Sequence, residues 1–121
     1  MITLEQLLQY SIEHPDGFTI DREGNPITKG FAVALKATKN SFGEYGAKHV
    51  LKYIEPLDGR FTGEYIAIGG WKETHSTILW YDAVIILHDY DIAIAAALHH
   101  EQKSFYDLEN NILCTFQKQV I

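Results

Sequence analysis

Hydrophobic positions recur along the chain first at helical and then at strand spacing. Leu4, Leu7, Leu8 and Ile12 share one helix face behind Thr3-Leu-Glu-Gln6, a capping box whose hydroxyl and amide ends satisfy orphan backbone donors reciprocally. A helix is therefore expected over Thr3–His14, ended by Pro15-Asp-Gly17. Phe18-Thr-Ile20 reads as a short strand, and Asp21-Arg-Glu-Gly-Asn-Pro26 is turn chemistry. Gly30–Ala37 reads as the second strand, with Phe31, Val33 and Leu35 on one face and smaller or polar residues on the other. Ser41-Phe-Gly-Glu44 is a second capping box, opening a helix whose inner face is Ala47, Val50, Leu51 and Ile54 and which Pro56 closes. Leu57–Glu64 reads as a loop with Asp58-Gly59 at its tip.

The most apolar stretch follows. Tyr65–Trp71 is the third strand, Lys72–Ser76 the turn, and the fourth strand starts at Thr77. Trp80 and Tyr81 then point to opposite faces, and Ala83–Leu87 either continues this strand after a bend at Asp82 or forms a separate one. Asp89 or Asp91 caps a helix running to about Gln102. The run Ile92–Leu98 is apolar all round, which predicts the most buried helix. Ser104–Leu108 and Ile112–Phe116 form a hairpin around Glu109-Asn-Asn111, and the last five residues fray. The order α-β-β-α-β-β-α-β-β implies one α+β domain over residues 1–121. Its mostly antiparallel sheet has five to six strands, with helices packed largely on one face.

Charge changes the picture by its placement. The formal net charge is −6; residues 1–52 balance, whereas residues 53–114 hold ten acids against Arg60, Lys72 and Lys103. Such a surface repels a nucleic-acid backbone and steers toward a basic partner. A single cysteine, Cys114, excludes a disulfide framework within one chain and favours a reducing, cytoplasmic setting. No charged segment followed by an apolar run opens the sequence, and no apolar run reaches the roughly 18 residues of a membrane span. No membrane association is expected.

Candidate chemistry is sparse. The six histidines show no strong metal spacing, and the adjacent pair His99-His100 would project about 100° apart on a helix. No nucleophile elbow, phosphate-binding lysine loop or dinucleotide fingerprint occurs, so neither metal nor cofactor is expected. Asp82, with His75 and His88 near it in sequence, is the one candidate acid/base group. Gly69-Gly70-Trp71 is odd inside a strand, because glycine weakens strands; it implies a bulge, room for a ring such as Trp80, or close approach by a partner's backbone. Phe42, Tyr45, Tyr53, Tyr65, Trp71 and Trp80 are interface anchors if exposed.

Gly17-Phe-Thr-Ile-Asp21, Gly30-Phe-Ala-Val-Ala34, Asn40-Ser-Phe-Gly43, Ile68-Gly-Gly-Trp71 and Tyr106-Asp-Leu108 together resemble a family of small, largely uncharacterised proteins of phages and integrative elements. The resemblance covers about residues 15–112. It implies an anti-defence setting, in which small acidic proteins inhibit host nucleases or restriction systems, and it assigns no catalytic residue.

The expectation is thus a small, acidic, non-enzymatic protein that engages, and inhibits, a basic nucleic-acid-handling partner without itself binding nucleic acid. Its contact residues would be Gly69, Gly70, Trp71, Glu73, Asp82, Asp89 and Asp91. The alternatives are a small enzyme with a His/Asp site near residues 75–91, and a homo-oligomer paired through an exposed strand edge.

Overall fold

The structure is a computed structural model that describes residues 1–57, 65–73 and 75–116. The elements run α1 (Leu4–Glu13), β1 (Phe18–Ile20), β2 (Phe31–Ala34), a 3-10 turn (Lys36–Thr38), β3 (Ser41–Phe42), α2 (Gly43–Ile54), β4 (Tyr65–Lys72), β5 (Leu79–Leu87), α3 (Tyr90–His99), β6 (Ser104–Asp107) and β7 (Ile112–Thr115). A second 3-10 turn, Glu55–Leu57, follows α2. The predicted loop tip at Asp58-Gly59 and the five C-terminal residues lie outside the described residues, as does Thr74 in the β4–β5 turn.

All seven strands form one antiparallel sheet in the order β1-β4-β5-β2-β6-β7, with β3 on β5 beside β2. The two-residue β3 takes the count above the expected five to six. The β4–β5 hairpin is its centre, and every residue of β4 pairs, from Tyr65↔Ile86 to Lys72↔Leu79. Strand β5 runs straight through Asp82 with no bend, and the unbroken register leaves no bulge at Gly69 or Gly70.

Alternation along the strands separates two faces. Tyr81, Ala83, Ile66, Ile68 and Ile20 meet Leu7, Ala47, Val50, Leu51 and Ile54 of α1 and α2. Farther along the same face, Val33, Leu87 and Phe105 meet Ala93 and Ala97 of α3. All three helices therefore lie on one side. The opposite face carries Ala32, Ala67, Val84 and Ile86, covered by Ile27 and Leu108.

That second face is concave, and chain length explains why. Residues 25–27 pair along the outer edge of β1, through the Ile20↔Pro26 bridge and the bond from Ile27 N to Thr19 O. Phe31 is in β2, and the strand order puts β1, β4 and β5 between these two places. Four inter-strand steps on a flat sheet are about 19 Å. The four residues from Ile27 to Phe31 reach at most about 14 Å. The sheet must curl so that residues 27–30 cross its inner side as a strap. Gly30, at φ +95°, lies where a Cβ would stand 3.0 Å from both Ile86 Cγ2 and Leu87 O. Ala32, Ala34, Ala67 and Gly69 keep the inside of the curl narrow enough to close.

Three expectations from sequence need correction. The second strand stops at Ala34, because β2 and β3 occupy successive stretches of the same β5 edge and the 3-10 turn joins them. In the gap, Leu35 N donates to Ala83 O (2.8 Å) and Ala83 N donates to Thr38 Oγ1 (2.9 Å), so a side-chain hydroxyl replaces a ladder carbonyl. Ser41 is not a helix cap: α2 is capped at Phe42 without a side-chain bond, and Ser41 Oγ donates to Thr38 O (2.7 Å). Finally, α2 rather than α3 is the most buried helix. Helix α3 buries Ala93 and Ala97 but exposes Ile92 and Leu98, because it meets the sheet along one narrow alanine stripe. Strand β7 leaves its outer edge unpaired among the described residues and exposes Ile112 and Leu113.

Two substitutions test these contacts. In an exposed helix, glycine to alanine gains about 1 kcal/mol. At Gly46, however, the added methyl would run into the Ser41 backbone, where β3 passes against α2. Gly46→Ala is expected to lower stability by about 1–3 kcal/mol in chemical denaturation; a gain would show that the approach of β3 to α2 is not tight. Thr38→Val, nearly isosteric, strands the buried Ala83 N–H and is expected to cost about 1–3 kcal/mol by the same measurement. An unchanged midpoint would remove Thr38 from the ladder.

Candidate functional site

The strap closes one end of the curl, and the other end stays open. A cleft of about 270 Å³ lies there, lined by Ala34, Leu35, Thr38, Lys39, Asn40, Trp71, Glu73, Trp80, Tyr81, Asp82 and Gln102. A second concavity, along the exposed side of α1, is a shallow surface groove of about 430 Å³ lined by Glu5, Gln6, Gln9, Tyr10 and Glu13.

The aromatic wall of the cleft follows from strand register. Trp71 and Trp80 are directly opposed on β4 and β5, and their rings stack with centroids 5.7 Å apart and planes 13° from parallel. Phe42 of β3 sits opposite Trp80 on its other side, 5.2 Å between centroids. Three rings from three strands thus form a row at the open rim. Phe42 is 52% exposed and Trp71 44%, while Trp80 is half-buried between them. Trp80 Nε1 is buried and finds no acceptor among the described residues.

Asp82 is the chemical centre. It is the only charged residue of β5, and alternation places it on the concave face two positions beyond Trp80. Opposite it stands Gly69, and a methyl there would collide with Asp82 Oδ1. Gly70 faces the helices and gives its space to the Phe18 ring. The glycine pair therefore makes room on both sides of one strand, for a carboxylate on one and an aromatic ring on the other. Trp80, the ring anticipated from sequence, is not the one accommodated. No described residue donates a hydrogen bond to the Asp82 carboxylate, and none forms an ion pair with it. Burial pushes this carboxyl up to about 6.

Of the residues singled out from sequence, the fold gathers Gly69, Trp71, Glu73 and Asp82 at the open end, with Gly70 beside them on the reverse face. Asp89 and Asp91 lie at the opposite end of β5. Asp89 Oδ1 accepts from Ile92 N (3.0 Å) as the cap of α3. His88 directly follows β5, six residues from Asp82 and thus about 20 Å away along the strand direction. His75 sits in the turn with φ +65° and does not line the cleft. The His75–Asp82–His88 grouping is therefore not assembled. Among the described residues, no cluster of three or more His, Cys, Asp or Glu side chains converges on a common point, and no helix is long and apolar enough to cross a membrane.

Sequence reasoning missed Lys39, Asn40 and Gln102 as lining residues. Asn40 holds φ +67° and turns the chain from the 3-10 segment into β3 at the edge of the cleft. A pair that sequence did not suggest, Ser41 and His49, is in contact at 2.9 Å. It resembles a nucleophile and its base. However, Ser41 is buried and its hydroxyl proton is committed to Thr38 O, which leaves His49 Nδ1 to donate to Ser41 Oγ. This pair anchors the 3-10 segment and presents no free nucleophile.

Comparison with protein-family models, with curated proteins and with solved structures yields no match to this chain.

Asp82 makes stability depend on pH with a definite sign. Its folded-state value lies above that of an unfolded carboxyl, so the folded protein holds the proton more tightly. That contribution is complete below about pH 4 and is lost as pH rises through about 6. Asp82→Asn is expected to flatten the thermal stability profile across this window. At pH 7.5 the variant should be more stable than the parent, by on the order of 2 kcal/mol. A variant that is less stable at pH 7.5 would show that the carboxylate is held by favourable interactions.

Proposed function

We propose that the protein is a non-enzymatic binding module whose open rim engages a protein partner with a basic surface. The observation that carries this reading is the row Phe42, Trp80 and Trp71, partly in solvent, beside two carboxylates that no described cation neutralises. Exposed aromatic rings at the edge of a cleft supply apolar contact area at low entropic cost, and unpaired carboxylates select for positive charge. The uneven charge of the chain, concentrated in residues 53–114, supports the same direction. In the phage-type setting implied by the sequence resemblance, the partner is a host enzyme that holds nucleic acid in a basic groove, and the module blocks that groove.

The contact set is the open-end group, Phe42, Trp71, Glu73, Trp80 and Asp82. Asp89 and Asp91 stand apart from it and serve α3. A second reading, a homo-oligomer, is favoured by the unpaired β7 edge with its exposed Ile112 and Leu113.

Affinity capture from host lysate with Trp71→Ala and Glu73→Lys, compared with Asp91→Lys, separates these readings. The two rim variants should each lose a captured basic protein by about tenfold or more, an effect of roughly 1.4 kcal/mol. Asp91→Lys should keep it, and added salt should weaken capture by the parent. Equal capture by all three variants rules out the rim, and recovery of the protein's own chain by all of them favours the oligomer.

A further inference from the structure

Asp82 lies in the cleft with no hydrogen bond or ion pair from any described residue, in a position that a carboxylate occupies at a cost. One wall beside it is formed by Trp71 and Trp80, two near-parallel indoles stacked on each other. We propose that this cleft takes a single arginine side chain of the partner, its guanidinium paired with Asp82 beside the Trp71–Trp80 wall. This assignment rests on the reading of the open rim as a partner-binding surface and names what enters it.

The chemistry favours a planar cation over the other occupants. A carboxylate offers two oxygens in a plane, and guanidinium presents N–H donors in a matching fork. An ammonium is a compact, strongly hydrated point charge and presents no such planar fork. A neutral sugar could lie on the tryptophans, but it would leave the carboxylate without a counter-charge. The side-chain amides of Asn40 and Gln102 line the same cleft and offer carbonyl acceptors for the guanidinium N–H groups that face away from Asp82. Gly69 and Ala34 leave the floor clear, since neither has a side chain beyond Cβ.

The charged groups around Asp82 are few. Glu73 follows β4 and adds negative charge at the rim, and Lys39, from the segment between the 3-10 turn and β3, is the single cation among the lining residues. Lys39 forms no ion pair with Asp82, and its neighbour Lys36 is held outward by Glu101 at 3.0 Å. From β2 and β4 the facing residues are Ala34 and Gly69, and the other polar liners, Thr38, Asn40, Tyr81 and Gln102, carry no charge at neutral pH. Arginine binding therefore follows the ionisation of Asp82. It should be fully developed at pH 7.5 and about tenfold weaker at pH 5.0, where about a tenth of a carboxyl titrating near 6 is ionised.

The test uses the full chain, labelled with 15N and titrated with the acetylated, amidated peptide Gly-Arg-Gly. The expected result is saturable movement of the Trp71 and Trp80 indole N–H signals and of the Gly69 amide. The lysine peptide should bind at least several-fold more weakly, and the isosteric neutral citrulline peptide should cause no saturable movement. Affinity should fall about tenfold from pH 7.5 to 5.0, and Asp82→Asn should abolish the response. Should that variant fail to fold, the pH series on the unaltered protein decides alone. Citrulline binding as tight as arginine, an affinity independent of pH, or saturable movement with maltose but none with arginine would each overturn the assignment. Absence of arginine binding while the rim variants still lose the captured partner overturns the assignment and leaves the binding role standing. Arginine binding in a protein whose capture ignores the rim overturns the role instead.

Discussion

The connection from β1 to β2 is too short for a flat sheet, and much of the molecule follows from that constraint. Four residues must join the outer edge of β1 to a strand three places farther in, so the sheet bends round them. Bending requires small side chains on the inner surface, and alanine and glycine occupy it at 32, 34, 67 and 69. It also separates the two ends of the curl. One end is filled by Ile27, Leu108, Val84 and Ile86, and the other is too far from the strap to be filled. The cleft is the part of the concave face that the strap does not reach.

At that open end, the β5 ladder is completed by a side chain. Where β2 has stopped and β3 has not begun, Thr38 supplies the acceptor for Ala83 N, and Ser41 and His49 tie the intervening turn down. The interruption moves Lys39 and Asn40 out of the sheet and into the lining of the cleft. A buried polar network therefore defines one wall, and stacked aromatics define another. Between them sits the one charged residue that β5 carries, in contact with the one residue type small enough to leave its oxygen room.

Much of the fold was legible from local pattern. The Thr3–Gln6 capping box forms as its residue types require, with bonds of 2.9 and 3.1 Å in the two directions. The inner face of α2 is the predicted set Ala47, Val50, Leu51 and Ile54. The β6–β7 hairpin turns at Asn111 with φ +54°, helped by Asp107, whose Oδ1 accepts from the Glu109 and Asn110 amides. The features that escaped depend on partners distant in sequence. Ser41 looked like a cap because its neighbours have cap spacing, and only the docking of β3 onto Tyr81 and Trp80 withdraws its hydroxyl from that duty. Helix α3 looked buried because it is apolar, yet burial depends on how much sheet lies beneath it. The glycine pair could not be read from β4 alone, since its two reasons are Phe18, some fifty residues earlier, and Asp82 across the hairpin. Asp82 itself left a signal, a lone carboxylate in the apolar run Leu79–Leu87, but the cleft around it was hidden and two histidines nearby in sequence drew attention instead.

The strand order also bears on how the chain is made. Strand β1 pairs with β4, and β2 pairs with β5 and β6, so neither of the two strands in the first 34 residues has a partner among the residues before it. During synthesis residues 1–34 leave the ribosome as a capped helix and two strands that lack their sheet partners. The β4–β5 hairpin, closed by a short turn, pays little loop entropy and is the earliest piece of sheet that can form. Only after residue 87 has emerged does the chain hold a template on which β1, the strap and β2 can be laid down together. The sheet is therefore assembled from its middle outward, and β1 and β2 must wait for strands translated about fifty residues later.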